Sequence, residues 1–256
     1  MEEILKLENI KYKSILKDIS FSVKKGSINV LIGSNGSGKT LLLKSIFGLI
    51  DYQGYITFNK KRVNKKNIGD ISIVLSDYKF LYDSVFDNLL YPLINLGITK
   101  HQAKSMIYNI TKKLNVDYLL HKKINDLSLN SKSIVKLVMG IETKPKLLLV
   151  DNLFSYIDLK TKKNIFSYIK NQKDLTVIFS THDMEELFLA NDVILLNNGK
   201  IIYKGNLKYI LEDEKYFLNN NLKLPFNINL SYKLKSYGLI KNIKYESKEV
   251  VDEIWK

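Results

Sequence analysis

"GSNGSGKT", residues 33–40, is the stretch on which the fold turns. It fits G-x-x-x-x-G-K-[ST] at every position. An apolar, β-branched run, "SINVLIG" (27–33), precedes it, and a helix-forming run stopped near Gly48, "TLLLKSIFGL" (40–49), follows. Strand, glycine-rich loop and helix in that order make a phosphate-binding loop. Gly33, Gly36 and Gly38 let the backbone curl, so that Gly33, Ser34, Asn35, Gly36, Ser37 and Gly38 turn N–H groups inward around a phosphate. The helix adds its positive N-terminal end. Lys39 reaches the β- and γ-phosphates and Thr40 offers a hydroxyl to Mg²⁺, so the cofactors implied are ATP and Mg²⁺.

Working outward, "LLLVDN" (147–152) is an aliphatic run that ends on Asp151 and Asn152. With a phosphate loop upstream, Asp151 reads as the second magnesium-site residue at the end of a buried strand; otherwise it is an aspartate that terminates a strand in a turn. "ISIVLS" (71–76) and "LTVIFST" (175–181) are further buried strands, and "KLLLVD" (146–151) is followed by a helical stretch at 159–171. "DVILLNN" (192–198) and "KIIYKG" (200–205) form a hairpin around "NNGK". Strands alternating with helices predict an α/β P-loop NTPase core with a mostly parallel sheet and helices on both faces. "ILKLENI" (4–10) and "ISFSV" (19–23), on either side of a short polar loop, predict strands of an N-terminal antiparallel β subdomain; "YITFN" (55–59) is a further strand and "NKKRVNKKN" (59–67) a solvated basic turn. Residues 84–142 read as a separate helical lobe with breaks near Pro92, Gly97 and "INDLSLN" (124–130). The texture changes near residue 215, which divides a nucleotide-binding domain, 1–215, from a small helical extension, 216–256, expected to dimerise.

The chain has 256 residues, 45% of them apolar, enough for one large α/β domain and an appendage. It contains no run of about 18 apolar residues, so no membrane-spanning helix is expected. The start, "MEEILKLENI", lacks the apolar region of a secretory signal, and the absence of Cys fits a cytosolic setting. The net charge of +14 has two readings: an anionic partner, or coding bias. Arg62 is the only arginine and Ala103 and Ala190 the only alanines, as an AT-rich genome would give. Lysine without arginine argues against bidentate base or phosphate readout, so no nucleic-acid partner is expected.

Beyond the phosphate loop the order of motifs resembles the ATP-binding cassette (ABC) ATPases over about residues 3–210. "DNLFSYID" (151–158) matches a Walker-type strand end followed by the family's D-loop; "FSTHDMEEL" (179–187) places His182 where the family has its γ-phosphate histidine; and "LSLNSKSIVKL" (127–137) occupies the slot of the LSGGQ signature. The tail, "LKLPFNINLSYKLKSYGL" (222–239) and "SKEVVDEIW" (247–255), is similar to the extension of energy-coupling factor (ECF) transporter ATPases. The resemblance implies an ATP-binding subunit on the cytoplasmic face of a membrane. It would power uptake in company with a second ATPase subunit, a transmembrane coupling subunit and a substrate-binding membrane subunit. Two ATPase subunits would sandwich ATP between the phosphate loop of one and the signature of the other. Closure would reach the membrane subunits through the helical lobe.

Four departures from the family bear on turnover. Asn152 stands where the family has its catalytic glutamate, and an amide cannot take a proton from water; general-base assistance is worth about 10²–10⁴-fold. In the signature, Ser128 is kept for the partner's γ-phosphate, but Leu129 and Asn130 replace two glycines, adding bulk and disfavouring positive φ. Ser76 replaces the glutamine that senses Mg²⁺, and it is too short to do the same from that position. Tyr12 is the nearest candidate for the aromatic that stacks on adenine, or else simply a strand residue. His182 either contacts the γ-phosphate or caps the helix that starts at Asp183. These features predict a degenerate ATPase subunit of a heterodimer. The competing readings are an ordinary ABC importer or exporter subunit, a pseudo-ATPase that only regulates, and a non-transport ABC ATPase acting on DNA or ribosomes. This last class usually carries two cassettes or long coiled-coil insertions, and neither is found here.

Overall fold

A computed structural model describes residues 2–63 and 68–255. Strands β1 (Glu3–Tyr12) and β2 (Leu16–Lys24) lead to β3 (Ile28–Ile32), whose five residues are all buried. Helix α1 (Lys39–Phe47) follows and ends on Gly48, in the left-handed conformation (φ 78°) at which helices commonly stop. Next come β4 (Gln53–Phe58), β5 (Lys61–Arg62) and β6 (Ile71–Leu75). Three helices form the inserted segment: α2 (Val85–Asn95), α3 (Lys100–Leu114) and α4 (Leu129–Glu142). Strand β7 (Leu147–Asp151), helix α5 (Leu159–Lys170), strand β8 (Thr176–Ser180) and the hairpin of β9 (Asp192–Asn197) and β10 (Lys200–Asn206) complete the core. Four short helices end the chain: α6 (Leu207–Leu211), α7 (Lys215–Leu218), α8 (Phe226–Ser236) and α9 (Ser247–Ile254).

Two sheets result. The larger has strand order β10-β9-β3-β8-β7-β6, parallel except for the β10 edge. The smaller is antiparallel, in the order β2-β1-β4-β5. Residue parity decides which core each central side chain joins, because successive strand residues face opposite ways. Val30, Val150, Phe179 and Val193 pack on the helical side with α2 to α5. Leu31, Leu149, Ile178 and Ile194 pack on the other side with α1 and the antiparallel sheet. A strand covered on both faces needs an unbroken apolar run, which "INVLI" and "LLLVD" supply.

The expected breaks at Gly97 and near residues 124–130 are present, but Pro92 lies inside α2. Proline removes one backbone donor there, and the helix survives one further turn because Leu93 is fully buried and Leu96 N–H closes on Pro92 O at 3.2 Å. Gly97 (φ 80°) then ends it. The segment 84–142 is not a free-standing lobe: Leu89, Ile107, Leu137 and Val138 share one continuous core with the parallel sheet. The boundary expected at 215/216 falls within α7, and Phe217 and Ile228 of the extension are buried in that same core. Within "NKKRVNKKN", Asn59 and Lys60 (φ 49° and 61°) make a tight turn into β5; residues 64–67 lie outside the described residues.

Candidate functional site

The phosphate loop leaves β3 between its neighbours β8 and β9 and returns as α1. Its path requires glycine at two points. A Cβ on Gly33 would sit 2.0 Å from Leu196 O, because the loop crosses that close to β9. Gly38 (φ 108°) is the N-cap of α1 and supplies no side chain, so the first amides of the helix stay free to face the loop.

Lys39 is folded into this loop. Its Nζ donates to Gly33 O (2.8 Å) and Ser34 O (3.1 Å), and the residue is only 7% exposed. Burial lowers the ammonium pKa to about 8, and the nearby Asp151 carboxylate pulls the other way. Thr40 Oγ1 donates to Asp151 Oδ2 at 2.8 Å, so the two residues expected at a magnesium ion are brought together across 111 positions of sequence. Ser37 Oγ is buried and has no hydrogen-bond partner among the described residues.

Thr40, Ser76, Asp151, Asn152 and His182 line one cleft of about 330 Å³ with Lys39. Tyr12 does not line it. Tyr12 ends β1, half-buried against the antiparallel-sheet core with Lys13 Nζ 5.3 Å from its ring centre. Ile15, in the turn after β1, lines the cleft instead. Ser76 contributes at the cleft wall, and its backbone oxygen accepts from Lys136 Nζ at 2.6 Å. Burial, and then the Lys39 ammonium, lower the His182 imidazole below its ordinary pKa, with Asp151 opposing. His182 is not a helix cap: Asp183 takes that place, accepting Glu185 N–H at 3.0 Å at the start of the 3₁₀ turn Met184–Leu189.

Asn152 adopts the left-handed region (φ 48°), where asparagine is better tolerated than most residues. Its N–H bonds Ser180 O (3.1 Å) and Ser180 Oγ (3.0 Å), while its buried side-chain Oδ1 has no partner among the described residues.

The signature segment lies apart from this cleft, at the start of α4. Ser128 is the N-cap, its Oγ accepting Ser131 N–H at 3.2 Å. Leu129 and Asn130 form the first helical turn, and neither has a positive φ. The expected backbone penalty is therefore absent, because the helix begins at the very residues that replace the glycines. Bulk remains: the Leu129 side chain is 60% exposed at the helix end. Asn130 Nδ2 donates to Asp158 Oδ2 (3.2 Å), and Asp158 caps α5 through Thr161 N–H (2.9 Å).

Sequence reasoning missed several site residues. Ser180 Oγ donates to Asp151 Oδ1 at 2.6 Å. A buried ion pair, Lys162 with Glu186, joins α5 to the turn behind His182. Glu185 accepts the Phe226 N–H at 2.6 Å and so ties the C-terminal extension to the same turn. Only Ser180 had a clue: it closes a buried strand directly before Thr181 and His182.

A hydroxyl and a carboxylate oxygen facing a phosphate loop are hard donors suited to Mg²⁺, a cation that takes few protein ligands and keeps phosphate and water oxygens. Among the described residues no group of three or more His, Cys, Asp or Glu side chains could hold a metal. The residues present therefore fit a magnesium-nucleotide.

Comparison with known proteins gives a consistent result. The profile of the ABC transporter family matches residues 16–155. The chain is 29% identical to the energy-coupling factor transporter ATP-binding protein EcfA of Pediococcus pentosaceus, over 100% of this chain and 97% of that one. It is 30% identical to EcfA1 of Ligilactobacillus salivarius, over 97% and 94%. Among solved structures, cbiO1 of Clostridium perfringens, part of the ABC transporter complex cbiONQ, superposes with a TM-score of 0.74 at 24% identity, covering 90% of this chain and 99% of that one. A nucleotide-free ATP-binding cassette from an ABC transporter gives a TM-score of 0.75 at 24% identity, covering 87% and 100%.

Proposed function

Because this chain belongs to the ABC transporter family, we propose that it is the ATP-binding subunit of an energy-coupling factor type transporter. In this reading it works as one half of an ATPase heterodimer. The observation that carries the reading is the cleft in which the enclosed Lys39 ammonium, the Thr40–Asp151 pair and His182 face one another. The full-length likeness to EcfA proteins, tail included, supports the energy-coupling factor assignment over an ordinary importer or exporter.

Each residue has a task in this reading. The loop 33–38 presents backbone N–H groups to the phosphates, and Lys39 places its charge beside the terminal ones. Thr40 and Asp151 hold Mg²⁺, which when bound neutralises developing phosphate charge; Ser76 sits at the wall of that cleft. His182 hydrogen-bonds a γ-phosphate oxygen as a donor, and Ser128 does so for the nucleotide of the partner. Asn152 orients water without accepting its proton. This subunit's own site is accordingly slow. Turnover runs at the partner's site, where the partner supplies the glutamate and this chain supplies a signature made bulky by Leu129.

A second cleft, of about 350 Å³, opens between α1, α2 and α4, with Phe47, Ile73, Tyr91, Leu96 and Met139 on its walls. Its apolar lining suits a segment of a transmembrane coupling subunit. Among the described residues no helix is long and apolar enough to cross a membrane; in this reading the chain is held at the membrane by such partners. The amide at Asn152, in place of a proton-accepting carboxylate, also favours a second reading, a regulatory subunit that binds ATP and hydrolyses none.

The test is ATP affinity and turnover of the purified chain, alone and with the ATPase and membrane proteins that co-purify from its native membrane. The expected result is magnesium-ATP binding abolished by Lys39→Ala, negligible turnover alone, and turnover in the complex. Brisk turnover alone rejects the degenerate site, and binding without any turnover in the complex selects the regulatory reading.

A further inference from the structure

Asp151 and Ser180 are register partners at the C-terminal ends of the adjacent parallel strands β7 and β8. Both are almost fully buried, at 5% and 0% exposure. The Ser180 hydroxyl donates to Asp151 Oδ1 (2.6 Å) and accepts the Asn152 N–H (3.0 Å). The other carboxylate oxygen, Oδ2, is left to Thr40 (2.8 Å) on the phosphate-loop side. The Ser180 hydroxyl thus ties one carboxylate oxygen to the strand while the other faces Thr40, and it also fixes the backbone from which residue 152 projects.

We propose that Ser180 is a positioning residue that makes this site selective for nucleotide carrying Mg²⁺ over free nucleotide. The proposal rests on the nucleotide-site reading above. Its logic is electrostatic. The Asp151 carboxylate gains nothing from a bare phosphate, with which it shares its sign, so its orientation matters only when a divalent cation lies between them. An aspartate turning freely about χ1 and χ2 must be ordered at the moment the cation binds; one already tethered is not. The strand parity that makes β8 a buried strand also points position 180 at the neighbouring carboxylate. A hydroxyl there serves the cleft, and an aliphatic side chain would serve only the core.

The experiment is isothermal titration of the full chain with ADP and with a non-hydrolysable ATP analogue, in excess Mg²⁺ and in excess chelator. For Ser180→Ala the expected result is an affinity weakened about ten-fold in Mg²⁺ and unchanged in chelator, as loss of a hydrogen bond to a charged group predicts. The variant keeps the Asn152 N–H satisfied through Ser180 O, so the strand end stays intact. Ser180→Thr restores the hydroxyl and the magnesium preference. Ser180→Cys, close in size and a weak donor, gives an intermediate loss confined to Mg²⁺, and it stands in should the alanine variant not fold. Equal weakening with and without Mg²⁺ overturns the proposal in favour of a purely structural serine. No change in either condition overturns it as well. A wild-type chain that binds neither form overturns the nucleotide-site reading itself, a distinct result.

Discussion

Asn152 carries two pieces of information that belong to one residue: its chemistry and its backbone. The amide lacks the proton affinity of a carboxylate, and the left-handed backbone (φ 48°) is one that a longer, unbranched acid tolerates less well. Asn152→Glu therefore has opposed effects. Within the assembled complex, turnover at this subunit's site should rise by about 10²-fold or more. The isolated chain should lose roughly 1 kcal/mol of stability. Phosphate release and a denaturant midpoint measure the two separately. Glu142, at the end of α4, is a second isolated case: it is 2% exposed and neither carboxylate oxygen has a hydrogen-bond partner among the described residues. Burial raises its carboxyl well above the usual range. The folded chain keeps that proton where the unfolded chain, titrating near about 4.3, has released it. Stability therefore falls as pH rises above the unfolded value. Glu142→Met should stabilise the protein at pH 7.5 by about 1–3 kcal/mol, a gain that shrinks toward pH 4.5. Equal gains at both pH values would contradict this account.

At the scale of elements, what matters is how strand ends and the turns after them are held. β7 and β8 deliver Asp151 and Ser180 side by side, and the turns that follow deliver Asn152, Asp158 and His182. The helix after one turn and the 3₁₀ segment after the other are joined by the Lys162–Glu186 pair, whose partners are 8% and 2% exposed. The Lys162 ammonium meets Glu186 Oε1, and Oε2 has no partner among the described residues. Removing a single member leaves a buried charge. Lys162→Ala should cost about 3–5 kcal/mol, whereas the paired change Lys162→Met with Glu186→Leu should be close to neutral. Chemical denaturation of the two variants against the wild type checks the expectation; a single variant as stable as the double would sink it.

For the whole molecule, the C-terminal extension and the inserted helices are parts of one core. Phe217 and Ile228 are fully buried in it, and each contributes about 1.5–3 kcal/mol. Deleting residues 216–256 should lower the melting temperature of the cassette, beyond any loss of partner contacts; an unchanged melting temperature would mean that the extension is an independent unit. The cleft between α1, α2 and α4 is a separate matter. Met139→Lys there should reduce recovery of membrane partners while leaving ADP affinity intact, because Met139 is absent from the nucleotide cleft. Co-purification and titration on the same variant distinguish the two effects.

From the amino-acid sequence alone follow the parts governed by local rules. The phosphate loop is legible because its glycines answer to backbone sterics within eight residues. The central strands are legible because burial on both faces demands unbroken aliphatic runs, and the β9–β10 turn because Asn198 and Gly199 both take positive φ (48° and 76°). Tertiary structure alone decided that Ile15 and not Tyr12 lines the cleft, that Ser180 holds Asp151 and that Glu185 anchors the extension. It also decided that Leu129 opens a helix without backbone strain. Those facts depend on strand neighbours and close approaches between residues distant in sequence. No pattern of spacing encodes them, because a hydrogen bond across 29 positions leaves no periodicity behind.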